Sequence, residues 1–299
     1  MSDTNFNIET KKVLKTVETN TDTILSICEL NDGRIATSTF AEVVIYNINE
    51  DKKDMTINEN IEEVKHLFLM NSGYLFSSAC EECIIYDIKP DKYEIIQKLG
   101  DLYGDTPKSI ELKNGDIISL SRGFFVFQKE PAQNKYSQIR NEDSSEFLND
   151  IIQISSDKVI ISSEDELKIW DINKWSVITV IKDISVGCFN GCLYQIDSNN
   201  LIVGGKNCVY LIDLNDYKVK KKIDTDYETF CVCPINENIF LTTGTGGTIT
   251  QWKFDGNDIT KEHEKENVIS EDSEVCLCMK YLKNGTLVLG DKRNLVILG

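Results

Sequence analysis

The chain has 299 residues, 41% of them hydrophobic and 27% charged, with a formal net charge of −17. Nucleic acid and anionic membranes are disfavoured as partners, because the same negative field repels both. No apolar run approaches the roughly 18 residues that span a bilayer, and MSDTNFNIETKK has no signal-peptide core, so the expected location is the cytosol or nucleus.

In chain order, ETKKVLKTVE (residues 9–18, the strand itself expected over about 10–18) reads as a strand with no local partner. TILSICEL follows and runs to a turn at Asn31-Asp32-Gly33; RIATST, EVVIYNI and KKDMTIN come next. That unit recurs. The third strands VVIYNI, CIIYDI, FFVFQK, LKIWDI, VYLIDL, ITQWKF and LVILG align on Tyr46, Tyr86, Phe127, Trp170, Ile212, Trp252 and Ile297. Their spacings are 40, 41, 43, 42, 40 and 45 residues. Hairpin turns recur at Asn71-Ser72-Gly73, Lys113-Asn114-Gly115 and Lys283-Asn284-Gly285, where positive φ is needed. A period near forty with short apolar strands predicts an all-β, seven-bladed β-propeller of four-stranded blades.

The blades are expected near residues 19–59, 60–99, 100–140, 141–182, 183–223, 224–268 and 269–299, in one domain covering 1–299. Each blade's outer strand is expected to be lysine-rich, which discourages edge-to-edge pairing. Lys220-Lys221-Lys222 fits that role better than nucleic-acid binding. The seventh unit ends at Gly299 without an outer strand, so the amino-terminal segment is predicted to supply it and close the ring.

Trp170-Asp171, Tyr86-Asp87 and Ile212-Asp213, each ending a third strand, resemble the WD40-repeat family over residues 10–299. That family commonly carries Gly-His before the first strand, whereas His66 and His263 here follow other residues. Its Asp six residues before the anchor survives only as Asp291, with Glu164 as a substitute. The family's buried Asp–His network is therefore expected to be missing, with packing carrying the stability. Gly204-Gly205 and Gly246-Gly247 are too few for a kelch-type repeat.

Ten cysteines in a reducing compartment are expected to be free thiols. Cys231-x-Cys233 and Cys276-x-Cys278 offer four possible zinc ligands. They align with small first-strand residues such as Ser26, Cys28 and Cys192, and packing is the preferred reading. Cys80-x-x-Cys83 is placed in a loop, where Glu81 and Glu82 disfavour a thiolate. Gly244-Thr245-Gly246-Gly247 precedes no helix, and neither histidine lies in a nucleophile motif. No catalytic residue, metal or cofactor is assigned.

The loops before each first strand and those between second and third strands share one face of such a propeller, and they are rich in carboxylates. Aromatic residues interleave with them. The candidate partner-binding set is Phe40, Glu62, Glu63, Tyr103, Asp105, Glu142, Asp143, Glu146, Phe147, Phe189, Asp226 and Tyr227. Aromatics among charges point to an interface, where burial gives energy and charge steers encounter. The expected function is a non-enzymatic interaction scaffold that docks a basic segment of a partner protein. The alternative is a constitutive subunit of a coat or ubiquitin-ligase assembly, which the WD40 resemblance implies; a propeller enzyme is the third reading.

Overall fold

The computed structural model describes residues 6–18, 22–40, 42–60, 62–100, 102, 108–130, 135–144, 146–187, 191–266, 268–269, 276–292 and 294–299. These form seven four-stranded antiparallel sheets, six of them meanders in chain order. In the seventh, Val13–Glu18 lies outside Asn294–Leu298, followed by Leu287–Gly290 and Cys278–Tyr281. Val13 pairs with Leu298 and Glu18 with Asn294, so the closing strand is as the sequence implies. The fold is a seven-bladed propeller.

The chain divides into two compact units, residues 21–151 and residues 1–20 with 152–299. In the first, Ile45, Leu67, Leu75 and Tyr86 join blades one and two in one apolar cluster. Phe76, Ile85, Phe125 and Phe127 do so for blades two and three. In the second, comparable clusters pack blade four on five, five on six, and six on seven. Packing of sheet on sheet, rather than any single strand pair, is where apolar surface leaves water.

Local chemistry sets the turns. Gly33, Gly73, Gly115 and Gly285 close the hairpins between first and second strands with φ of 84°, 85°, 89° and 86°. Between third and outer strands, Asp171 and Asp213 accept backbone N–H groups of Asn173, Lys174 and Asn215. Those bonds are the first cause holding both carboxyls below the usual range. Asn47 plays the same part in blade one. The aspartate of the Trp-Asp pattern is thus a turn-forming acceptor.

In blades one to six the outer strand carries a bulge beside the anchor, with the register slipping at 45/46, 85/86, 126/127, 169/170, 211/212 and 251/252. Such bulges twist an open edge away from pairing with another chain. The outer strand of blade four departs from the lysine-rich expectation: Ser176–Lys182 has one lysine and exposes Val177 and Ile178. In blade seven the anchor also differs from expectation. Ile35, Leu75, Leu201 and Phe240 pair with Tyr46, Tyr86, Ile212 and Trp252, and the equivalent Leu287 pairs with Leu298. The anchor is Leu298, one residue beyond Ile297.

Packing does not act alone, which corrects the second expectation drawn from the missing Asp–His pairs. In blade six the Trp252 indole donates to Thr242 Oγ1 at 2.8 Å, and the Tyr227 hydroxyl bonds Thr242 and Thr250, each at 2.7 Å. In blade two Ser77 Oγ donates to Asn60 Oδ1, and Asn60 Nδ2 to Tyr86 OH, both at 3.2 Å. Ser77 and Thr242 occupy the same register position, opposite Ile84 and Thr250. A loop residue, a second-strand hydroxyl and the anchor are linked in both blades, with Tyr or Asn where histidine was absent.

Candidate protein-docking surface

Backbone bonds define the surface within each unit. The loop after a second strand accepts from the segment entering the next first strand: Val64 N to Thr39 O at 3.3 Å, Leu102 N to Glu81 O at 3.3 Å, and Ser144 N to Arg122 O at 3.1 Å. In the other unit Val186 N meets Glu164 O at 2.9 Å, and Thr225 N meets Asn207 O at 2.8 Å. The two loop sets therefore lie at one end of the blades.

Seven of the nine described candidates fall in the unit of residues 21–151. Phe40 and Phe147 are 60% and 68% exposed, unusual for large apolar side chains. Glu62 is exposed, and Glu63 is half-buried with Lys65 at 3.5 Å. Glu142 and Asp143 are not loop residues: they end the outer strand Lys135–Asp143, opposite Phe124 and Gly123. Gly123 has φ of 123°, and a Cβ there would collide with the Glu142 carbonyl oxygen, so glycine lets the pairing continue. Glu142 bonds Arg140 at 2.8 Å. Glu146 and Phe147 line a shallow cleft of about 270 Å³ with Arg122 and Ser144.

Asp226 is exposed but belongs to the other unit. Tyr103, Asp105 and Phe189 lie outside the described residues. Tyr227 is only 6% exposed, so it leaves the candidate set. Burial pushes its hydroxyl up to about 12, against the lowering effect of the Thr242 and Thr250 bonds. Tyr227→Phe removes the hydroxyl that joins these threonines, and a loss of about 1–3 kcal/mol is expected in thermal unfolding. Partner association should be unchanged; weakened association in a stable Phe variant would return Tyr227 to the interface.

The surface is less one-sided than its loop composition implied. Lys98 meets Glu82 at 3.7 Å, Lys222 meets Asp224 at 3.2 Å, and Lys206 pairs with Glu164. The signal for Lys98 lies in strand register: the end of an outer strand faces the start of the third strand, and Lys98 sits opposite Ile84. Such exposed pairs add little stability, yet they lower the local field. Lys220 and Lys221, read as edge-strand charges, meet Asp213 at 3.3 Å and Asp258 at 2.6 Å.

Cys231 and Cys233 lie in the first strand of blade six, Thr229–Pro234; Cys276 and Cys278 lie at that of blade seven, and all four are buried. Burial pushes the Cys233 thiol up to about 12 and those of Cys276 and Cys278 upward as well. Cys83 is the first residue of a strand rather than a loop residue; burial raises it to about 11, opposed by hydrogen bonds to serine hydroxyls. Among the nine described cysteines only Cys80 is not buried. Alkylation of the native protein between about pH 7 and 9 should therefore mark Cys80 before any other of the nine. Peptide mass spectrometry reads this directly, and early labelling of Cys233 would contradict the packing.

No protein-family model matches the chain, and no curated protein matches its sequence. Solved structures match in number, 1601 chains, so the likeness selects an architecture rather than an activity. One is a chain in the crystal structure of the mitotic checkpoint complex, with a TM-score of 0.78 and 12% identity over 96% of this chain and 93% of that one. The chain has the fold of a seven-bladed β-propeller. At 12% identity nothing about that protein's role carries over with the fold.

Proposed function

We propose that this protein is a non-enzymatic scaffold that docks a basic segment of a partner protein. The observation that carries the reading is the pair of exposed phenylalanines, Phe40 and Phe147, at the same end of one unit as Glu62, Asp143 and Glu146. Apolar anchors supply affinity on burial, and the carboxylates steer a lysine- or arginine-rich approach. Nucleic acid and membranes are not partners on this reading, and the protein works in the cytosol or nucleus.

Charge reversal provides the test. With Glu142, Asp143 and Glu146 replaced by lysine, partners captured by the wild type at about 0.05 M salt should be lost, as they should at about 0.5 M salt for the wild type. Phe147→Ala should weaken capture without altering its salt dependence. Capture indifferent to both salt and reversal would count against the docking surface. That result would favour a second reading, a fixed subunit of a larger assembly.

A further inference from the structure

The amino-terminal arm reaches beyond the closing strand. Before Val13 it forms one 3-10 turn, Ile8–Thr10, and it is packed on blades six and seven. Phe6 and Ile8 are buried in the cluster that holds Leu241, Ile249, Val268 and Leu289. Phe6 meets Tyr281 edge to face, with ring centroids 5.5 Å apart. One side chain reads the backbone between these two anchors. Gln251, 1% exposed in the third strand of blade six, accepts from Ile8 N at 2.9 Å and donates to the Phe6 carbonyl at 3.0 Å. Its amide also donates to Glu262 Oε2 at 3.0 Å, which fixes its orientation.

A carboxamide that takes one N–H and one C=O from residues two apart imitates a strand edge. It recognises backbone, while the flanking apolar pockets select side chains. Strand closure does not need it, because Val13–Glu18 already pairs with Asn294–Leu298. A buried amide is costly unless its polar atoms are hydrogen-bonded, and the Phe6 and Ile8 backbone supplies two of those bonds. Phe6, Asn7 and Gln251 line a cleft of about 570 Å³ together with Asn236, Asn238 and Lys253. The arm's outer contacts lie at the surface, with His263 Nδ1 3.2 Å from Glu9 Oε2 and Lys265 Nζ 3.5 Å from the Glu9 carbonyl. Contacts of that kind hold weakly.

We propose that this groove is a receptor for an aromatic-x-aliphatic peptide motif, filled in the resting chain by Phe6-Asn7-Ile8. A partner segment of the same chemistry takes the groove when the arm lifts.

The test uses the full chain carrying Phe6→Ala and Ile8→Ala, with a fluorescent peptide of residues 4–12, TNFNIETKK, as the probe. Saturable binding to this variant is expected, at least about tenfold weaker for the wild type, whose groove is occupied. A peptide with alanine in place of its phenylalanine should bind at least about tenfold more weakly. Adding Gln251→Leu to the variant should abolish binding. No saturable binding to the folded variant at about 1 mM peptide, or equal binding of the alanine peptide, overturns the proposal. Should that variant not fold, hydrogen exchange on the wild type decides: excess peptide should accelerate exchange of the Ile8 amide, and an unchanged rate overturns the proposal.

Discussion

Removal of residues 1–18 is expected to lower the melting temperature by at least about 10 °C, or to abolish cooperative melting. Phe6, Ile8 and Val17 are buried by this segment. At about 1.5–3 kcal/mol each, they amount to about 5–9 kcal/mol, an upper estimate because unfolded chains already bury some apolar surface. Total stabilities of about 5–15 kcal/mol leave little margin. At roughly 2–4 °C per kcal/mol the expected fall in melting temperature follows. The deletion also uncovers the apolar edge Asn294–Leu298, which invites aggregation. Calorimetry of the full and shortened chains checks this, and equal melting would mean that the closing strand is dispensable. Removing only residues 1–12 keeps the strand and loses Phe6 and Ile8, so a smaller loss is expected.

Lys108→Met is the second large effect. Lys108 precedes the first strand of blade three, Ser109–Glu111, and its ammonium pairs with Asp150, which is fully buried. Asp150 Oδ1 also accepts the Ile151 N–H at 2.7 Å. Removing the cation takes a salt-bridge partner from a buried carboxylate, at a cost of about 3–5 kcal/mol. Replacing both partners, Lys108→Met with Asp150→Leu, should recover most of the loss, because the apolar pair carries no desolvation debt. Denaturant unfolding of the two single variants and the double one closes the cycle. A cost below about 1 kcal/mol for Lys108→Met would place this bridge with ordinary surface pairs.

Most of the fold was legible because strands announce themselves through alternation and turns through residue type. Six anchors, the glycine-closed hairpins and the closing strand could be placed in this way. Blade seven escaped by one residue, since its outer strand is Val13–Glu18, far from Leu298 in sequence, and does not mark the count. Glu142 and Asp143 read as loop because a run of acidic and polar residues lacks periodicity; pairing opposite Phe124 and Gly123 keeps them extended. The absence of Gly-His dipeptides predicted a loss of buried polar links. Tyr227 and Asn60 supply those links from loop positions, where a different residue type does the same bonding.

The docking candidates divide along the same physical line. The repeat, the blade count and the closing strand are legible in the chain, because these depend on backbone pairing and composition. Which loop side chains face water depends on how the blades pack. Phe40 and Phe147 are exposed, whereas Tyr227 turns inward to Thr242 and Thr250. Packing also decided that Gln251 would meet Phe6 and Ile8, more than 240 residues away. A strand's alternation fixes where its side chains point, but a loop has no such period, and a contact between distant residues exists only once the blades are packed.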